Sequence, residues 1–64
     1  MSKPRFHARV TSDHGHHINA LLVLDTMDQA KAFTRDNLLP ILPEWNRVVI
    51  EDMKNNDNFK HARK

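Results

Sequence analysis

Sixty-four residues without a cysteine hold one small domain and exclude a disulfide framework, a thiolate zinc site and a nucleophilic thiol. The formal net charge is +2, yet residues 54–64 carry four cations against one acid, a net of +3 that leaves −1 on the first 53 residues. The basicity, and with it any general attraction to an anionic partner, therefore belongs to the C-terminal end.

Met1-Ser2-Lys3-Pro4-Arg5 leads into mixed residues with no apolar signal-like segment. The longest apolar run, Ala20 to Leu24, falls far short of the ~20 residues that cross a bilayer. The expectation is a soluble cytoplasmic protein, monomeric and without a membrane partner.

Residues 5–12 alternate. Phe6, Ala8 and Val10 point one way, and His7, Arg9 and Thr11 the other, the period of a half-buried strand. Asp13-His14-Gly15 is a turn signal containing the only glycine. From about His16 to Leu24, Ile18, Ala20, Leu22 and Leu24 stand in phase. A three-residue loop pairs Val10 with Ile18, Ala8 with Ala20 and Phe6 with Leu22, which brings the apolar residues to one face. Such a loop takes a left-handed residue at its third position, where Gly15 stands.

Thr26 opens a helix, with Gln29 completing a capping box and Asp28 favourably placed in the first turn. Met27, Ala30, Phe33 and Leu38 fall on one side, and Pro40 ends the helix near Leu38. The apolar connection Leu38–Pro43 is expected to cover the open end of the core. Trp45 to Met53, centred on Val48-Val49-Ile50, reads as a third strand. From Lys54 onward the Asn55-Asn56-Asp57-Asn58 stretch has nothing to bury and reads as disordered.

The expected fold is α+β: a strand–strand–helix–strand module over residues 1–53 with a flexible basic tail over 54–64. Its three-stranded sheet has the helix on one face. An antiparallel order 2-1-3 is favoured, and a mixed sheet with strand two at its centre is the alternative.

His14, His16 and His17 crowd one turn, but their headings differ, so no metal site is expected; a pH-sensing role stays open. Ser12-Asp13-His14 has the residue types of a hydrolase triad in immediate succession, where base and nucleophile cannot face one another. One glycine cannot build a phosphate loop. The reading is a non-enzymatic protein without cofactors.

A three-stranded sheet with one helix covers a single face. Leu21 and Val23 project from the other, with either Val49 and Trp45 or Val48 and Ile50 from strand three, beside Arg9, Arg47 and Glu51. Arg9, Arg47 and Glu51 are the expected polar contacts to a partner protein, and Trp45 its aromatic anchor. The alternative is a nucleic-acid-binding accessory protein that uses the tail, with Lys60, Arg63 and Lys64 on phosphates.

Phe6-x-Ala8-x-Val10, the polar turn, the apolar second strand and Asp25-Thr26-Met27-Asp28-Gln29-Ala30 together resemble the small RNA-polymerase inhibitors of podophages. The resemblance spans residues 5–53, with one extra residue in the hairpin. It implies a phage-encoded protein that binds the jaw of the host polymerase's largest subunit and blocks a productive promoter complex. Arginines near the third strand would grip the jaw, and Arg47 is the arginine on that strand. An acidic strip would face the DNA channel; here the hairpin carries histidines instead, and Glu51 and Asp52 lie on the last strand.

Overall fold

A computed structural model describes residues 3–63. Strand β1 (Phe6–Ser12) and strand β2 (His17–Leu22) form the hairpin in the expected register, Val10 opposite Ile18, Ala8 opposite Ala20 and Phe6 opposite Leu22. Gly15 closes the loop at φ +83, its N–H donating to the Ser12 carbonyl at 3.2 Å. A Cβ added there would meet nothing within 4 Å, so any cost of substitution is backbone strain alone. Gly15→Ala is expected to destabilise by about 1 kcal/mol, read as a lower thermal midpoint with an unchanged native spectrum.

Helix α1 (Met27–Phe33) begins with the full capping box: the Thr26 hydroxyl accepts from the Gln29 N–H, and the Gln29 side chain accepts from the Thr26 N–H. After Phe33 the helix widens into a π-helical turn, Thr34–Leu38, then tightens into a 3-10 turn, Leu39–Ile41. The expected stop near Leu38 is corrected: the regular α-helix ends earlier, at Phe33, while Leu39 keeps helical angles (φ −62, ψ −38) and the chain passes through Pro40 in the 3-10 turn, whose first positions tolerate a proline that has no N–H to bond. The wide turn changes which residues face inward. Ala30, Thr34 and Leu38 are buried, whereas Phe33, expected on the core side, is exposed. Steps of four residues drift around an α-helix, and a turn of more than four residues corrects that drift.

Strand β3 (Trp45–Asp52) pairs antiparallel with β1, which settles the order of the first three strands as 2-1-3. The sheet does not stop there. Strand β4 (Asp57–Ala62) pairs antiparallel with β3, and the sheet is four-stranded, β2-β1-β3-β4. The expectation of a three-stranded sheet and a disordered tail from Lys54 is corrected: residues 57–62 belong to the domain.

The missed strand has a physical cause. Among its residues only Phe59 is half-buried, so β4 leaves almost no apolar period to read. It is held instead by the backbone ladder to β3 and by a turn organised around Asp52. That carboxylate accepts from the N–H groups of Lys54 and Asn55 and from the Asn55 amide, while Asn56 takes positive φ at 58. Asn and Asp suit such a turn because their side chains bond nearby backbone and tolerate the left-handed region.

The core lies between α1 and the sheet. Phe6, Ala8, Val10, Leu22, Ala30, Leu38, Val48 and Ile50 are buried, with Leu39, Leu42, Trp45 and Phe59 packed around them. The helix covers one face, and the other face of the sheet is open. No helix is long and apolar enough to cross a membrane among the described residues.

Candidate binding surface

Because Phe6, Ala8, Val10, Val48 and Ile50 point at the helix, strand alternation turns their neighbours to the open face. The registers arrange these neighbours in three cross-strand rows. Nearest the hairpin turn run His17, Thr11, Arg47 and Ala62. The middle row is Asn19, Arg9, Val49 and Lys60. The third is Leu21, His7, Glu51 and Asn58.

Arg9, Arg47 and Lys60 are all exposed and thus share one surface. Arg9 and Lys60 flank Val49, two strand spacings apart, or roughly 10 Å. Among the described residues none of the three forms an ion pair. Arg9 makes one neutral contact, donating through Nε to Asn19 Oδ1 at 3.2 Å, and the same oxygen meets His7 Nε2. Glu51 is the single carboxylate on these rows. The face is therefore cationic toward the hairpin turn and carries an acid and the exposed Leu21 at its other end, which gives a docking partner an orientation.

Three of the four residues expected to meet a partner protein are brought together: Arg9, Arg47 and Glu51. Trp45 is not with them. The pairing of β1 with β3 slips between Thr11 and Ser12, and Ser12 faces Trp45 across the irregularity. The indole lies on the helix side beside Val48 and Ile50, with the Arg63 guanidinium 4.9 Å from its ring centre.

The basic C-terminal residues divide as well. Lys60 joins the open face, whereas Arg63 is occupied, donating to the Pro43 carbonyl at 2.9 Å. Lys64 lies outside the described residues. Lys60 was legible as a cation but not as part of the sheet face, because its direction is set by its pairing opposite Val49.

The polar turn is built differently from a ligand site. Ser12 Oγ accepts from the N–H groups of His14 and His16 and donates to Glu44 at 3.0 Å. His16 Nδ1 meets the same Glu44 oxygen at 2.8 Å. These contacts, the His16 bond first and Ser12 second, hold the Glu44 carboxyl below the usual carboxylate range. The Ser12 hydroxyl and the His16 imidazole both address the carboxylate and not each other, so the cluster ties the hairpin to the segment that leads into β3. His17 points to the open face opposite Thr11. Among the described residues no three His, Cys, Asp or Glu side chains are placed to hold a metal.

Set against protein-family models, curated proteins and solved structures, the chain matches none.

Proposed function

We propose that this chain is a non-enzymatic binding module that docks its open sheet face on an acidic surface of a larger protein. The observation that carries this reading is the alignment of Arg9, Arg47 and Lys60, without an ion pair among the described residues, on the one face the helix leaves bare. Three such cations in water cost little while free and gain when they meet carboxylates in a water-poor contact. Leu21 and Val23, 63% and 57% exposed, add apolar area at the acidic end of the face.

The resemblance to podophage inhibitors supplies the partner within this proposal: the largest subunit of a bacterial RNA polymerase, whose transcription the bound protein would block. Arg47, on the strand where those inhibitors carry gripping arginines, is the first contact residue. Arg9 and Lys60 support it, and Glu51 sets the orientation. Trp45, on the other side of the sheet, has no part in this contact.

A second reading is favoured by one specific finding, the position of Lys60 beside the two arginines. The same face could follow a nucleic-acid backbone, with affinity falling with salt by a slope of about 3 for three phosphates on duplex DNA. A tagged pull-down from bacterial lysate, with and without nuclease, separates the two. Polymerase subunits retained after nuclease support the protein-docking reading. Polymerase recovered only while nucleic acid is intact overturns it in favour of the second.

A further inference from the structure

The opposite side of β4 carries a feature that the sheet-face reading leaves unused. Between α1 with its π turn and the inner face of β3 and β4 runs an open groove of about 490 Å³, within the size range of small-molecule sites. Its sheet wall is aromatic. Trp45 and His61 have ring centres 5.8 Å apart, and His61 and Phe59 lie nearly parallel at 6.3 Å. The three rings come from neighbouring strands: Phe59 stands opposite Ile50, and His61 opposite Val48.

The helix side of the groove is cationic. Lys31 Nζ sits 4.4 Å from the centre of the Phe59 ring, and Arg35 follows one turn later, with Asp28 as the single acid of the lining. Arg35 contacts Asp36, but both side chains are largely exposed, and pairs of that kind are weakly held in water. Deeper in the groove stands Thr34, 2% exposed, whose hydroxyl has no hydrogen-bond partner within the described residues. That oxygen is closed to solvent, so it lies behind the groove wall and takes no part in the contact.

We propose that this groove is a binding site for a planar aromatic ring bearing an anionic group. The ring lies along Trp45, His61 and Phe59, and the anion meets Lys31 and Arg35. The flat faces reward stacking, and the paired cations select against a neutral ring. An aromatic carboxylate and a nucleotide share this chemistry. The site is separate from the open sheet face, so either proposal can fail without the other.

The test is titration of the isotope-labelled full chain, followed by amide chemical shifts, with indoleacetate, its uncharged analogue indoleacetamide, and adenosine monophosphate. Indoleacetate is expected to move Lys31, Trp45, Phe59 and His61 in a saturable way, with Kd on the order of 1 mM. Indoleacetamide should bind roughly threefold more weakly, and the double variant Lys31→Gln with Arg35→Gln should bring indoleacetate to the same level, with Lys31→Gln alone in between. Saturation of the same amides by adenosine monophosphate, more tightly than by indoleacetate, would identify the nucleotide as the better ligand; the reverse order would favour the aromatic acid. The proposal is overturned if neither anion saturates these positions. It is equally overturned if acetate and amide bind alike, or if the shifts fall on Arg9, Arg47 and Lys60 instead.

Discussion

Arg47→Glu is expected to weaken the proposed docking on polymerase by roughly tenfold to a hundredfold, about 1.4–2.8 kcal/mol, with the fold unchanged. The fold should survive because Arg47 is exposed, points away from the core and holds no ion pair among the described residues. Its cross-strand neighbours on the open face are Thr11 and Ala62, neither of which depends on its charge. The loss in affinity follows from reversing one of three cations on a face that already holds Glu51. A glutamate there would oppose the acidic partner surface and weaken the field of Arg9 and Lys60. Binding measured on the purified polymerase, beside a circular dichroism spectrum of the variant, checks both halves. An unchanged affinity with a native spectrum would remove the sheet face from docking.

Asp52→Asn should lower the melting temperature by on the order of 10 °C, the largest effect expected of any polar substitution here. Asp52 is 4% exposed, and its two oxygens accept five hydrogen bonds. Arg5 donates twice, at 3.2 Å to each oxygen, and the remaining three come from Lys54 and Asn55 in the turn before β4. An amide keeps the shape but turns a donor toward the Arg5 guanidinium or the Asn55 amide, and it removes the charge that both Arg5 bonds use.

The pH dependence of the two proteins should differ in a defined direction. The Arg5 hydrogen bond, ahead of the opposing effect of burial and aided by the Asn55 and Lys54 N–H groups, holds the Asp52 carboxyl below its ordinary value of 3.8. A carboxyl depressed by folding stabilises the native state above its unfolded pKa and loses that contribution as pH falls through the folded value. Wild type should therefore lose stability in acid below about 3.8, and Asp52→Asn should lack that part of the decline. Thermal melts across the acid range, with amide exchange over residues 57–62, report the effect on the whole domain and on β4 separately. Equal melting temperatures for the two proteins would show that the turn does not depend on this carboxylate.

The first hairpin and the helix start were legible in the sequence because their determinants are local. Alternation over Phe6–Val10 and Ile18–Leu24, a single glycine at the third loop position and the Thr26–Gln29 capping box each act within a few residues. Arg9 was also legible as an outward-facing group, since it lies between Ala8 and Val10, whereas Arg47, between Asn46 and Val48, took its direction from the register of β3 on β1.

What tertiary structure decided depends on partners far along the chain. The sheet order and the existence of β4 rest on backbone pairing, which any residue but proline can make and which leaves no apolar signature when a strand is exposed. The slip between Thr11 and Ser12 moved Trp45 from the open face to the groove, because one irregularity in a ladder reverses a side chain's direction. The pairing of β4 with β3 turned Lys60 from a tail charge into a neighbour of Arg9 and Arg47, and placed Phe59 and His61 across from the helix. Local chemistry thus set the hairpin and the helix start, while the composition of both candidate sites was set by long-range strand register, which turns alternate residues to opposite sides of the sheet.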